Sequence, residues 1–123
     1  PFELVRCHTF ITESTFGLPI YRWRPDAAVF REINDWWREN AAGGRTSVVF
    51  AYALGKAQRL LAGIDPALGP IVVHGAVRRF VEVYRAAGIA MPDVLPGNAE
   101  VAKQVKGKAL VVAPPSADGT PWL

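Results

Sequence analysis

The residues of this 123-residue chain that could do chemistry are few, and each follows a predicted strand. Glu13 comes after an extended stretch, Lys56 opens a helix-forming stretch that follows the apolar run at 47–52, and His74 comes after the apolar run at 71–73. In open α/β sheets, ligands bind beyond the carboxyl ends of the strands, which is where Lys56 and His74 are expected. Lys56 is the best-placed cation for a phosphate, because free backbone N–H groups at a helix start also favour anions.

Each candidate also has a purely structural interpretation. Glu13 is followed by Ser14 and Thr15, a composition typical of a turn or a helix cap, and the local sequence favours that interpretation. Lys56 is equally well explained as a solvated lysine in the first turn of a helix. A histidine at a strand end, such as His74, is more often a hydrogen-bonded structural residue than a base or a metal ligand.

Several familiar sites are excluded by residue type and spacing. A P-loop needs glycine where this chain has Phe50 and a hydroxyl where it has Ala57. No Gly-x-Gly-x-x-Gly fingerprint follows a strand, and no Gly-x-Ser-x-Gly elbow is present. His8 and His74 are far apart and form no His-x-His or His-x-x-x-His pair, so no metal ligand is predicted. The chain alone therefore holds no complete catalytic constellation.

The elements that must position these residues alternate between helix and strand. Apolar spacings of three and four predict helices, and short β-branched runs bounded by glycine or proline predict strands. The predicted helices are 27–41, 56–61, 76–87 and 99–105, and the predicted strands are 9–12, 47–52, 71–74 and 109–113. We expect Asp26 to cap the first helix and the run at 47–52 to be buried on both faces. The pattern predicts a three-layer α/β fold, with helices on both faces of a mainly parallel sheet.

Composition and the ends of the chain set further expectations. The length suits one hydrophobic core, and the net charge of +3 fits an anionic partner such as nucleic acid. Cys7 has no partner for an internal disulfide, so we expect a buried thiol in a reducing cytoplasm. No run approaches the roughly 18 apolar residues of a membrane span, and no membrane partner is expected. Pro1-Phe2 is not a translation start, so we expect a fragment of a longer protein.

Two stretches, taken together, resemble a known family. The acidic motif Glu13-Ser14-Thr15-Phe16-Gly17, led by a strand, resembles that of the β-CASP nucleases, which have the metallo-β-lactamase fold and cut DNA or RNA. The segment at 49–61, VFAYALGKAQRLL, resembles the strand and helix of their inserted β-CASP domain. Within that family the chain is most similar to bacterial DNA ligase-associated exonucleases, a likeness that extends to Trp36-Trp37, the segment at 73–77 and the segment at 113–116.

This resemblance implies a division of the chain and a metal-dependent reaction. Residues 1–20 would be a strand and acidic-motif loop of the metallo-β-lactamase core, and residues 21–123 a truncated β-CASP-like α/β domain. The parent protein would be an exonuclease that hydrolyses DNA phosphodiester bonds with two zinc ions. Their ligands would lie outside this chain, so the chain itself would bind no zinc and would be inactive. Glu13 would orient a histidine outside the chain that protonates the leaving oxygen.

The resemblance also assigns binding residues and partners. Lys56, Arg59 and His74 would line a nucleic-acid groove and contact phosphates without reading sequence. His8 stands where many relatives have an acidic residue, and we assign it no role. The implied partners are DNA rather than RNA, together with the DNA ligase and helicase of the same repair system. The alternative from another class is a non-catalytic α/β module that binds nucleotides or a partner protein.

Overall fold

The computed structural model describes residues 3–122 of the chain, so Pro1, Phe2 and Leu123 lie outside the described residues. The α-helices are α1 (Asp26–Ala42), α2 (Lys56–Gly63), α3 (Gly75–Ala86) and α4 (Ala99–Val105). The strands are β1 (Ser47–Phe50), β2 (Ile71–Val73), β3 (Leu95–Pro96) and β4 (Leu110–Ala113). Single 3₁₀ turns at Pro66–Leu68 and Pro115–Ala117 follow α2 and β4.

The four strands form one parallel sheet in the order β1-β4-β2-β3. The chain moves in one direction across the sheet from β1 to β2 and β3, and it then returns to insert β4 between β1 and β2. Because parallel crossovers are right-handed, this reversal must place the last crossover helix on the opposite face. The three-layer α/β architecture predicted from the alternating pattern is confirmed.

The two faces of the sheet are covered unequally. On one face, α1, α2 and α3 pack against alternate strand residues, and this core includes Trp37, Leu61, Val77, Val73 and Val112. On the other face, α4 packs its Val105 against Val72 in a smaller cluster. A cleft of about 580 Å³ remains open beside α4, lined by Val48 of β1 as well as by Val72, Val111 and Trp122.

Two predicted features of the sheet are corrected. The run at 47–52 is not a strand buried on both faces: β1 ends at Phe50 and is an edge strand, and the Phe50 side chain is 43% exposed. The central position belongs instead to β4, in which Leu110, Val112 and Ala113 are buried. The predicted strands also omit one of the sheet, since Leu95–Pro96 forms β3. A two-residue strand that contains proline is confined to an edge, because proline has no N–H to donate.

The extended character of residues 9–12 does not lead to a strand. The structure has neither helix nor strand between residues 3 and 24, and Phe10 and Ile11 are 79% and 90% exposed. A strand needs a neighbour for its backbone N–H and C=O groups, and none of the described residues pairs with this stretch. Cys7 is also exposed, so the prediction of a buried thiol is wrong. The assignment of residues 1–20 to a separate domain stays a prediction.

An ion pair links the stretch before α1 to the helix itself. Arg24 donates two hydrogen bonds to the carboxylate of Glu32 on α1, at 2.8 and 2.6 Å. The bond from Arg24 holds the pKa of Glu32 below its usual value. Asp26 does not cap α1 as predicted, because it is the first residue of the helix. The N-cap position is held by Pro25, and no side chain makes a capping hydrogen bond there. Among the described helices, none has the length and apolarity to cross a membrane.

The two adjacent tryptophans of α1 lie in different surroundings, one in the core and one at the surface. Trp37 is fully buried, and its indole N–H donates to the Lys108 carbonyl at 3.0 Å, just before β4. Trp36 is 41% exposed. The Trp37 bond therefore ties α1 to the strand that completes the sheet.

We expect Trp37→Phe to lower the free energy of unfolding by about 1–3 kcal/mol, because the Lys108 carbonyl loses its donor. Trp36→Phe is the matched control and should change stability by no more than about 0.5 kcal/mol. Urea denaturation of the two variants measures both values. Equal losses would contradict a special role for the Trp37 hydrogen bond.

Candidate nucleic-acid interface

The carboxyl ends of β1, β4 and β2 form one edge of the sheet, and the candidate residues lie along it. Phe50 pairs with Ala113, and the His74 N–H donates to the Val112 carbonyl at 3.0 Å. Phe50 and His74 therefore flank Ala113 on its two sides. Two interstrand spacings separate their backbones, a distance of about 10 Å. The loop that leads from β1 into α2 and the start of α3 both rise from this edge.

The loop from β1 to α2 is held by a buried glutamine. The Gln58 side chain is fully buried; its oxygen accepts from the Gly55 N–H at 2.7 Å, and its NH₂ group donates to the Ala53 carbonyl at 2.9 Å. Gly55 has φ +83° and ψ −68°, and the Lys56 N–H donates back to the Leu54 carbonyl at 3.1 Å. This is a γ-turn with a positive central φ, which is rare and which glycine adopts without a Cβ clash.

The same geometry overturns one expectation about the start of α2. A helix N-terminus suits anions when its first N–H groups are free. Here the N–H groups of Gly55 and Lys56 are bound as described, and the Ala57 N–H donates to the Tyr52 carbonyl at 3.1 Å. These three backbone donors are satisfied within the loop. Any anion at this point must be bound by side-chain charge.

Lys56 supplies such a charge at the tip of the loop. Its side chain is exposed, and its Nζ lies 5.8 Å from the centre of the Tyr52 ring. That distance is within the range of a cation–π contact, in which the ammonium group lies over the ring face. No salt bridge to Lys56 is found in residues 3–122. The lysine is thus positioned and still available to an external anion.

Arg59, one turn further along α2, is placed differently. Its Nη2 donates to both carboxylate oxygens of Asp26, each at 2.7 Å, and joins the start of α1 to α2. Hydrogen bonding to Asp26 raises the pKa of Arg59 above its usual value. The guanidinium remains accessible, with 69% of its side chain exposed. Because the carboxylate compensates its charge, Arg59 attracts an external phosphate less strongly than Lys56 does.

His74 has the structural role that its position at a strand end favours. Its Nδ1 accepts from the Ala76 N–H at 3.1 Å and so caps α3. The neutral ring in this bond carries its proton on Nε2, which can still donate. The Trp122 ring packs edge-on against the imidazole at 4.7 Å, and the Trp122 indole donates to the Gly97 carbonyl at 3.2 Å. Contact of His74 with nucleic acid stays a prediction.

Glu13 is exposed and makes local contacts. Its carboxylate accepts from the backbone N–H and from the hydroxyl of Thr15, as in the turn that the local sequence favours. Gly17 closes the next turn by donating to the Ser14 carbonyl at 2.8 Å. Within the described structure, the hydrogen bonds of the Glu13 side chain reach Thr15 and no residue of the sheet edge. The structure therefore does not bring Glu13 together with Lys56 or His74.

Two arginines that are not among the predicted site residues lie near the start of α3, the helix that follows β2 at the same edge. Arg78 and Arg79 are exposed in the first two turns of α3, and the Arg79 guanidinium lies 4.7 Å from the centre of the Phe80 ring. No salt bridge to either is found in the described part of the chain. Because α2 and α3 both begin at the carboxyl edge, each helix carries exposed cations near its start: Lys56 on α2, and Arg78 and Arg79 on α3. The signal in the sequence was an arginine pair shortly after a strand end.

The described residues contain no group of three or more histidine, cysteine, aspartate or glutamate side chains that could hold a metal ion. The exposed charged side chains on α2 and α3 described above are cations, and cations repel a metal ion. The chemistry that the arrangement supports is the binding of an anion.

Comparison with known proteins gives one informative relative. A protein named "Probable DNA ligase" from Opitutus terrae is 37% identical over 82 residues, which make up 67% of this chain. The chain spans only about 8% of that relative's length. No protein-family model matches the chain, and no solved structure matches it.

We expect Gln58→Leu to lower the free energy of unfolding by at least about 2 kcal/mol, because the Gly55 N–H and the Ala53 carbonyl both lose their partner. Gln104→Leu, at an exposed position of α4, makes the same chemical change where no such bonds are lost. It should change stability by about 0.5 kcal/mol or less. Thermal and urea unfolding measure the difference, and similar effects at the two positions would contradict the role given to Gln58.

Proposed function

We propose that this chain is the nucleic-acid-holding α/β part of a metal-dependent DNA exonuclease of the β-CASP group, which works in DNA repair or end processing with a DNA ligase. The observation that carries the proposal is that the two helices that begin at the carboxyl edge carry exposed cations near their starts, namely Lys56, Arg78 and Arg79. A DNA backbone is a regular array of phosphates, and cations that neutralise them supply most of the affinity for DNA of any sequence.

The position of these cations supports the proposal. Ligands of open α/β sheets bind beyond the carboxyl ends of the strands, and both helices that carry these cations begin at that edge. The backbone N–H groups at the start of α2 already donate hydrogen bonds within the chain. The site therefore lacks the free backbone donors that bind the phosphates of nucleoside triphosphates. Side-chain cations alone bind phosphates without the close fit of a cradle. Such a site suits a polymer that must slide through it.

The comparison with known proteins supports a role in DNA processing. The relative is named as a DNA ligase, and the stretch it shares with this chain is 8% of its length, so it is a protein of about 1,000 residues. A module of this size within a large DNA-processing protein would hold DNA while other parts act on it. The proposal also includes a helicase of the same repair system as a partner, which the resemblance implies, and a cytoplasmic location for the protein.

The reaction itself would use residues outside this chain. The β-CASP resemblance implies two zinc ions, but the described residues offer no cluster of ligands for them. No step of metal chemistry therefore passes through these residues. Glu13 is proposed as a positioning residue for a histidine elsewhere in the parent protein, and its turn with Thr15 would fix the direction of the carboxylate. The purified chain is expected to have no nuclease activity.

The binding proposal is tested with a charge removed from the edge. At about 50 mM salt, Lys56→Gln should weaken DNA binding by about tenfold. It should also reduce the slope of log K against log salt concentration by about one, the value for one lost phosphate contact. Lys108→Gln removes the same charge at the amino end of β4, on the opposite edge of the sheet, and should have little effect. Fluorescence anisotropy with a labelled oligonucleotide measures both. Equal effects of the two variants, or no binding by the unaltered chain, would contradict the proposal.

The catalytic proposal is tested in the parent protein. Glu13→Gln should reduce turnover about 10- to 100-fold while zinc content stays nearly unchanged, because the residue orients a catalytic group and does not bind metal. Glu39→Gln, at an exposed position of α1, is the control. Metal analysis and a nuclease assay on the same preparations separate the two effects. Loss of zinc in step with activity would place Glu13 among the metal ligands instead.

A second candidate function draws on the surface of the N-terminal stretch. Leu4, Val5, Phe10 and Ile11 are each at least 79% exposed. Side chains of this kind favour contact with protein, either another domain of the parent or a separate partner. A non-catalytic partner-binding module would explain them without nucleic acid. The same binding experiment separates the two functions. Salt-dependent DNA binding that Lys56→Gln weakens favours the nucleic-acid-holding function over the partner-binding module.

A further inference from the structure

Tyr52 is an exposed aromatic residue that the fold does not use. It lies two residues beyond the end of β1, and 64% of it is exposed to solvent. No hydrogen bond to its hydroxyl is found within residues 3–122, and the aromatic core residue of the helical face is Trp37 instead. Its neighbours Phe50 and Leu54 are also open, at 43% and 58% exposed. The loop thus presents an apolar surface at the same edge as the cations.

The backbone on both sides of Tyr52 is fixed. The Ala51 N–H donates to the Ala113 carbonyl at 2.9 Å, and the Tyr52 carbonyl accepts from Ala57. The next residue, Ala53, is held by the buried Gln58. Because the backbone is already ordered, binding of a ligand to the ring has only the two side-chain torsions of Tyr52 left to order.

The chemistry next to the ring is that of a phosphate site. The Lys56 ammonium lies over the Tyr52 ring, 5.8 Å from its centre, so a cation and an exposed aromatic ring are neighbours at this surface. Exposed aromatic rings beside cations bind single strands because every base has a flat face that can stack, whatever the sequence. In a duplex those faces are covered by neighbouring base pairs, so a protein ring stacks most readily on an unpaired base.

We propose that Tyr52 stacks on an unpaired base of single-stranded DNA while Lys56 binds the adjacent phosphate. This inference rests on the proposed function and specifies its substrate: the edge holds a single strand or a frayed end rather than intact duplex. The γ-turn at Gly55 and the Gln58 amide set the position of the ring and the ammonium relative to each other.

The test compares the unaltered chain with Tyr52→Ala and Tyr52→Phe. The ligand is a labelled oligothymidylate of about ten nucleotides, within the usual site size of a single-strand binder. Loss of one stacked base should weaken binding by Tyr52→Ala roughly 5- to 100-fold, whereas Tyr52→Phe keeps the ring and should stay within about threefold. Because position 52 is exposed, thermal unfolding of both variants should match that of the unaltered chain.

Two further ligands distinguish the loss of base stacking from a general loss of affinity for DNA. An oligomer of the same length with abasic sites keeps the phosphates and removes the bases, so the unaltered chain and Tyr52→Ala should bind it equally. Duplex DNA should also be bound equally by both. If Tyr52→Ala loses affinity for the abasic oligomer to the same degree, or loses none for oligothymidylate, the stacking inference is wrong.

The outcomes also distinguish this inference from the proposed function. Binding that Lys56→Gln weakens and Tyr52→Ala does not would overturn the stacking inference and leave the proposed function standing. A larger effect of Tyr52→Ala on duplex than on single strands would show that the ring acts as a wedge between base pairs, which also contradicts the inference. Absence of DNA binding by the unaltered chain would overturn both.

Discussion

The pairing of β4 with both β1 and β2 is the contact on which the rest of the structure depends. It joins residues 47–50 to 110–113 and 71–73 to 110–112, so it connects segments that are far apart in the sequence. Until it forms, the helical layer has no continuous sheet to pack against. The same insertion reverses the direction of the chain and sends α4 to the opposite face. It also brings the ends of β1 and β2 to either side of Ala113, which creates the edge where the candidate residues lie.

The local elements were predictable because each has its own pattern. The spacing of Phe30, Ile33 and Trp37 predicts α1, and the β-branched runs predict β1, β2 and β4 to within one or two residues. The order of the strands was not predictable, because it depends on contacts between distant residues. The edge position of β1 follows from that order, which is why its burial was overestimated. The two-residue β3 has too few residues to leave a pattern.

The candidate site was predictable in part for the same reason. Lys56 and His74 were found from their positions at strand ends, a local signal. The ion pair of Arg59 with Asp26 depends on how α1 packs against α2, so neither the weakened charge nor the missing cap could be read from sequence. Gln58 looked like an ordinary helix former; only the fold shows that it is buried and binds the loop. Tyr52 was read as the end of an apolar run, and its exposure follows from β1 being an edge strand.

The edge position of β1 has a consequence for the behaviour of the chain in solution. One side of the strand pairs with β4, and no described residue pairs with its other side, so a row of backbone N–H and C=O groups faces outward. The strand Ser47–Phe50 carries no charge and no proline, the two devices that commonly protect such edges. An unprotected strand edge of this kind is a template on which a further strand can add. It belongs to the same strand that leads into the loop carrying Tyr52 and Lys56.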